Sequence, residues 1–206
     1  VLGIVIGVAS VTILVSLGQG LKDEVSGLIR GFGSNLIFVS PGKLDTNSGA
    51  SISGGSGTMA GDVLTTVDAE AIKKISGVAE TSPMSLVNAT ASYENTALSA
   101  VVTGAYPNFD EAVDVIELEK GKMFNSASSG NVVVIGPKLK TEAFGDTDAL
   151  GKTILINKTP FTVVGVIGEI SASSIFGSQF NSLAVIPFDT ATQMNKGTIA
   201  INEIIV

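Results

Sequence analysis

The chain has 206 residues, with 12 Lys and Arg against 19 Asp and Glu, and it contains no histidine and no cysteine. A net charge of −7 argues against a nucleic-acid partner, because neutralising phosphates takes clustered cations and the chain offers only pairs such as Lys138 with Lys140. Without cysteine or histidine there is no disulfide framework, no zinc site of the Cys/His kind and no imidazole to serve as a general base.

Residues 1–17, VLGIVIGVASVTILVSL, carry no charge. As a helix they reach roughly 25 Å, just short of a bilayer core of roughly 30 Å. With neither Met nor a flanking charge in front, the segment reads as a transmembrane helix cut off at its N-terminal end. A signal peptide is one alternative, but it calls for a basic leading region and a small-residue cleavage pattern that are missing here. A buried core helix is the other, and it normally shows more of a polar face than Ser10, Thr12 and Ser16. Gly3 and Gly7 form a G-x-x-x-G, a spacing that lets two membrane helices approach closely.

Residues 18–32 turn amphipathic. Leu21, Val25, Leu28, Ile29 and Phe32 fall on one helical face, and Lys22, Asp23, Glu24, Ser26 and Arg30 on the other. Gly31 and Gly33 predict the end of this helix. Only Gly18 and Gly20 interrupt the passage from the apolar segment, so one helix is expected to leave the membrane as a stalk.

Residues 35–40 (NLIFVS) predict a buried strand, stopped by Pro41-Gly42. Residues 42–62 are Gly/Ser-rich and read as a flexible loop. Their glycines lack the Lys-Ser/Thr that a phosphate-binding loop requires. Residues 65–76 predict a helix with a capping box of Thr65 and Asp68, its apolar side made by Val67, Ala71, Ile72 and Ile75. Residues 85–105 predict two strands with a turn near Glu94-Asn95. Residues 108–116 predict a short helix with a second box, Asn108 and Glu111.

A strand follows over 132–136, and then a helix over 137–144 with Pro137 at its start and Gly145 after its end. Residues 153–156 and 161–167 predict a hairpin around Asn157-Lys158-Thr159-Pro160. Residues 183–186 predict a strand, Asp189 a cap for the last helix, and 199–206 a strand to the final residue, which suggests that the C-terminus is cut as well.

The candidate chemistry is sparse. Asp110, Glu111, Asp114, Glu117 and Glu119 lie on a short helix and its exit, where carboxylates ordinarily form a solvated face. Asp146-Thr147-Asp148 begins like a calcium loop but lacks that loop's Asp or Asn at the fifth position and its Glu at the twelfth. No G-x-S-x-G is present to activate a serine. The residues therefore predict no catalytic, cofactor-binding or metal site, and a membrane span with a stalk points to a mechanical or binding part.

The segments LGIVIGVASV (2–11), LVSLGQGLKDEV (14–25) and IRGFGSNLIFVSPG (29–42) resemble the MacB-like periplasmic core domain of ABC transporter permeases. The likeness continues in order through LTTVDAEAIKKISGVAETSP (64–83), VVTGAYPNF (101–109) and ELEKGKMF (117–124). VVVIGPKLKTEAFG (132–145), LGKTILI (150–156), FTVVGVI (161–167) and LAVIPFDTA (183–191) complete it. No single motif decides the matter, but the ordered set covers nearly the whole chain.

The resemblance implies an α+β fold, a transmembrane and stalk helix followed by an extracytoplasmic domain of two mixed lobes, the second inserted in the first. The expected boundaries are 1–18 for the truncated span and 19–33 for the stalk. The first lobe is expected over 34–108 and 179–206, and the inserted lobe over 109–178. Such permeases have four membrane helices, form homodimers or heterodimers, bind a cytoplasmic ABC ATPase subunit, and in some cases engage a periplasmic adaptor. The implied role is mechanical: ATP-driven closing passes up the stalk to the outer domains. On this reading the chain is no enzyme and needs no cofactor. It sits in the cell membrane with its main domain periplasmic or extracellular. Leu21, Val25, Leu28 and Phe32 pack the stalk, and Gly3 and Gly7 make the membrane helix contact. The runner-up is a membrane-anchored binding module with no ABC partner, and a secreted enzyme is a third reading. The chain carries no Walker motif and lacks the other spans, so ATP hydrolysis would belong to another subunit or domain.

Overall fold

The computed structural model describes residues 2–30, 36–41, 64–94, 96–113, 116–125, 130–170, 180–195, 197 and 200–206, with the backbone alone at residue 2 and over 23–30. The predicted loop over 42–62 lies outside the described residues.

The apolar start and the amphipathic segment predicted after it run as one helix, α1 (Leu2–Arg30). The next element, β1, is Phe38–Val39, shorter than the strand predicted over 35–40. Helix α2 (Thr66–Lys73) starts on the expected capping box: Thr65 Oγ1 accepts from the Asp68 N–H, and the Asp68 carboxylate accepts from the Thr65 N–H at 2.7 Å. Its faces differ from the expectation. Ala69 is buried and Ile72 packs beside it, whereas Val67, Ala71 and Ile75 are exposed. Three small or β-branched residues at i, i+4 and i+8 make an apolar stripe, but the sheet meets the helix on the neighbouring face.

The two strands predicted over 85–105 are four: β2 (Ser82–Leu86), β3 (Ala91–Tyr93), β4 (Thr96–Leu98) and β5 (Val101–Ala105). Helix α3 (Phe109–Ala112) is a single turn, and Asn108 makes no side-chain cap, because its backbone is not extended there. Its Nδ2 instead donates to the Thr81 carbonyl at 3.2 Å. β6 (Leu118–Gly121) was absent from the sequence reading. β7 (Val132–Ile135) and α4 (Pro137–Phe144) match it, with Pro137 at the helix start and Gly145 at φ 57 after the end.

β8 (Thr153–Ile156) and β9 (Thr159–Ile167) form the expected hairpin. Its turn is the two residues Asn157-Lys158 at φ 48 and 66, the left-handed pair that matches strand twist, so Pro160 is already inside β9. β10 (Leu183–Pro187) runs into α5 (Phe188–Met194), where Asp189 sits in the first turn and makes no cap hydrogen bond. β11 (Glu203–Ile205) is shorter than the strand predicted over 199–206.

These strands make one mixed sheet in the order β1-β11-β2-β5-β10-β7-β9-β8-β3-β4, with β6 on β9. β5 with β10 and β7 with β9 are parallel, and the remaining pairs are antiparallel. Residues alternate between two apolar layers. Val133, Ile135, Ala184 and Ile186 pack with Leu139 and Phe144 of α4 and Ala191 of α5. Val132, Val134, Leu183 and Val185 pack with Phe109 and Ala112 of α3. A bulge between Val133 and Val134 opposite β9 shifts this alternation by one, so Val163 and Val166 face the same layer. Gly165 lies at that bulge, where a Cβ would come within 2.8 Å of the Lys122 carbonyl. A third cluster, Ala69, Ile201 and Ile204 with Val39 and Ile72, holds α2 against the edge that carries β1 and β11.

Candidate functional site: helix α1 and the sheet edge it meets

The apolar opening of the chain produces a helix of 29 residues, about 43 Å long at 1.5 Å per residue. Within it, Gly3–Lys22 has mean hydropathy 2.0 and none of that stretch is buried against the domain. Ile4, Val8, Ile13 and Leu17 are all more than half exposed, so the helix body has no apolar partner within the described chain. A long apolar helix left bare in this way has the length and surface of a membrane span. Two of its polar residues are satisfied internally: Ser10 Oγ donates to the Ile6 carbonyl and Thr12 Oγ1 to the Val8 carbonyl, each at 2.8 Å. That is how hydroxyls are tolerated where no water can reach them.

Because α1 is unbroken, the membrane and stalk residues share one angular frame. At 100° per residue, Gly3, Gly7, Gly18, Leu21, Val25 and Leu28 fall within one arc of about 80°. A Cβ built on Gly3, Gly7 or Gly18 meets nothing within 4 Å, and Leu21 is 67% exposed. Phe32 lies outside the described residues. The helical backbone therefore sets Gly3, Gly7, Leu21, Val25 and Leu28 along one face of one helix.

β1, the first described element after α1, lies at one edge of the sheet. β1 pairs antiparallel with β11 through Phe38↔Ile205 and Val39↔Ile204. One step outward, Ile37 and Val206 exchange both backbone hydrogen bonds, N–H to carbonyl, at 2.9 Å each. The strand that follows α1 and the strand that closes the described chain are thus direct neighbours. At the other end of β1, Ser40 Oγ donates to Glu203 Oε1 at 3.4 Å. Glu203 is half-buried, and burial raises its carboxyl above the usual glutamate range, with the Ser40 hydroxyl partly offsetting this.

An open cleft of about 320 Å³ lies between α2, the start of β2 and the turn after β5, lined by Glu70, Lys73, Glu80, Pro83, Tyr106 and Asn108 among others. Lys73 pairs with Glu80 across it and holds that carboxyl below its usual range. The Tyr106 ring lies 5.0 Å from Phe188 at 34°. Its hydroxyl is shifted upward by burial and then by the nearby charges of Asp189 and Glu70.

The predicted carboxylates remain scattered: Asp110 and Glu111 start α3, Glu119 lies exposed on β6, and Asp114 is outside the described residues. Asp148 accepts from the Leu150 N–H at 3.2 Å and pairs with Lys120 at 3.4 Å, an ordinary polar turn whose carboxyl those contacts hold below its usual range. Among the described residues no group of three potential metal ligands is present. Sequence reasoning missed Glu203, whose burial depends on two strands far from it in the chain.

The MacB-like periplasmic core domain family matches residues 1–206. The macrolide export ATP-binding/permease protein MacB of Neisseria gonorrhoeae is 35% identical over the whole chain, which spans 31% of that relative's length. The pyoverdine export ATP-binding/permease protein PvdT of Pseudomonas aeruginosa is 30% identical over 96% of the chain, again spanning only 28% of the relative. Among solved structures, the periplasmic region of MacB from Actinobacillus actinomycetemcomitans has a TM-score of 0.67 at 23% identity, covering 86% of this chain and 76% of that one. The extracellular domain of the ABC-type transporter YknZ from Gram-positive bacteria has a TM-score of 0.56 at 21% identity, covering 70% and 72%. The fold is thus shared with both, and the chain belongs to the MacB-like periplasmic core domain family.

Proposed function

We propose that this MacB-like periplasmic core domain, with its membrane lead-in, transmits ATP-driven motion from the membrane to the outer face of an ABC transporter permease. The transported cargo would be a drug, a peptide or a lipoprotein. The single observation that carries this reading is the continuity of α1 from Gly3 through Arg30, with small residues in its membrane half and Leu21, Val25 and Leu28 on the same face. A straight helix conveys displacement along its length, and a face of that kind pairs with another helix. On this reading Leu21, Val25, Leu28 and Phe32 pack the stalk, and Gly3 and Gly7 make the membrane contact.

The partners are a second permease copy, identical or related, and a cytoplasmic ABC ATPase; a periplasmic adaptor fits the same scheme. ATP hydrolysis belongs to a separate domain or subunit. The relatives' printed names join ATP-binding and permease functions in one protein, of which this chain matches under a third.

We also assign the segments 1–18 to the span, 19–33 to the stalk, 34–108 with 179–206 to a first lobe and 109–178 to an inserted lobe. The return of β10 and β11 to pair with β5, β2 and β1 supports the discontinuous first lobe. The β3–β4 hairpin of the first segment pairs with β8 of the inserted part, and β10 pairs with β7, so one sheet runs through both. The reading is tested with Leu21→Ser combined with Val25→Ser in the parent permease. Export is lost while membrane insertion and ATPase expression persist; normal export from the double variant would sink the lever.

A further inference from the structure

Among the described residues, the sheet edge formed by β1 and β11 contains one half-buried carboxylate, Glu203. The register Phe38↔Ile205 and Val39↔Ile204 sets Ser40 directly opposite Glu203, and the other neighbour of Glu203, in β2, is Met84. Ile37 and Val206 are the hydrogen-bonded pair at the opposite end, so Ser40 and Glu203 fall at a position without backbone hydrogen bonds, where cross-strand side chains approach most closely. Glu203 shares its sheet face with Ile205 two residues on and with Phe38 and Met84 across it, all part of the apolar layer that contains Phe109. The carboxyl therefore sits at the rim of the core with one weak partner, the Ser40 hydroxyl at 3.4 Å.

Among the described residues no charged side chain of β1, β2 or β11 faces it: β1 contributes Ser40, β2 contributes Met84, and β11 is otherwise Ile204 and Ile205. Glu80, before β2, is engaged by Lys73.

We propose that Glu203 and Ser40 form a proton-sensitive latch on β1. With Glu203 protonated, the strand end lies closed on β11; with Glu203 ionised, the strand end opens to hydrate the charge. The direction follows from linkage. Burial disfavours the ionised form, so the closed edge binds the proton more tightly than an opened, hydrated edge does. Closure gains from this below the ordinary glutamate range, and the gain is lost as pH rises through the raised titration. The latch sits beside β1, the first described strand after α1. The proposal concerns this local joint and stands apart from whether ATP drives it.

The test is hydrogen exchange on the whole chain in detergent micelles, read on peptides covering 37–40 and 203–206, for the native chain, Glu203→Gln and Ser40→Ala. Glu203→Gln keeps the shape without the charge, and taking it at each pH as the reference removes the intrinsic pH dependence of exchange. Relative to it, native protection falls several-fold as pH rises from about 5 to about 8, tenfold for each unit by which the titration is displaced. Ser40→Ala loosens the 37–40 peptide at all pH values while Glu203 still titrates. Carboxyl NMR of Glu203 shows a midpoint above the ordinary glutamate range. Identical protection in the native chain and Glu203→Gln throughout, or a Glu203 midpoint in the ordinary range, overturns the latch.

Discussion

Ile13→Arg isolates the membrane role of α1 from the fold of the domain. Ile13 is close to the middle of Gly3–Lys22 and is 66% exposed, so it packs against nothing in the domain that the change would disturb. The 20-residue stretch is about 30 Å long, which puts position 13 near the bilayer midplane. There isoleucine favours insertion by about 0.5 kcal/mol and arginine opposes it by about 2.5 to 3.5 kcal/mol. The change is therefore about 3 to 4 kcal/mol, a factor of roughly 140 to 700 in partitioning. The assay is the fraction of chain retained in membranes after alkaline extraction, with circular dichroism to verify the domain fold. Val67→Arg, on the 69% exposed outer face of α2, serves as the control for added charge. The expected result is a large loss of retention for Ile13→Arg alone, with the domain still folded. Unchanged retention, or loss of the domain fold, would refute the reasoning.

Two further predictions concern stability. Gly104→Ala drives a Cβ into the Ala191 Cβ of α5, with the Phe188 Cα at 3.7 Å and the Ser85 carbonyl at 3.8 Å leaving little room to shift. Overpacking of this kind destabilises by about 1 to 3 kcal/mol in thermal or denaturant unfolding, whereas Gly130→Ala, with nothing within 4 Å, is close to neutral. Thr65→Ala removes the cap of α2 and destabilises by about 1 kcal/mol. Thr65 holds the Asp68 carboxyl below its usual range, so the cap's contribution is present above the ordinary carboxylate range and lost as pH falls through the lowered titration. Thr65→Ala accordingly flattens the acid limb of a stability-against-pH curve, and an unaltered limb contradicts the cap.

Elements whose signal is local were readable from the residues. The uncharged opening gives α1, Pro137 and Gly145 bracket α4, and Asn157-Lys158 turns β8 into β9. What was missed depends on distant partners. β6 has a chain of mostly exposed residues with no alternation, and it is a strand because Leu118 aligns with Ile167 and Gly121 with Gly165 of β9. The Asn108 box failed because the backbone there is at φ −89 and ψ 20 rather than extended, while the side-chain amide donates to the Thr81 carbonyl 27 residues away. The apolar stripe of α2 pointed to the wrong face for a related reason: Ala69, a small residue with little hydrophobic signal, faces the core beside Ile201 and Ile204. The α1 positions rest on helical periodicity alone, which defines a face without reference to any partner. Glu203 was not legible, since its half-burial comes from β1 and β2 closing on either side of β11.

The most direct test of the mechanical account uses the parent transporter in proteoliposomes with Leu21→Ser and Val25→Ser, recording ATP hydrolysed and substrate exported in the same sample. The account predicts that hydrolysis continues while export falls to background, because the face that carries the motion no longer packs. Export that keeps its native ratio to hydrolysis would contradict it and leave α1 as an anchor alone.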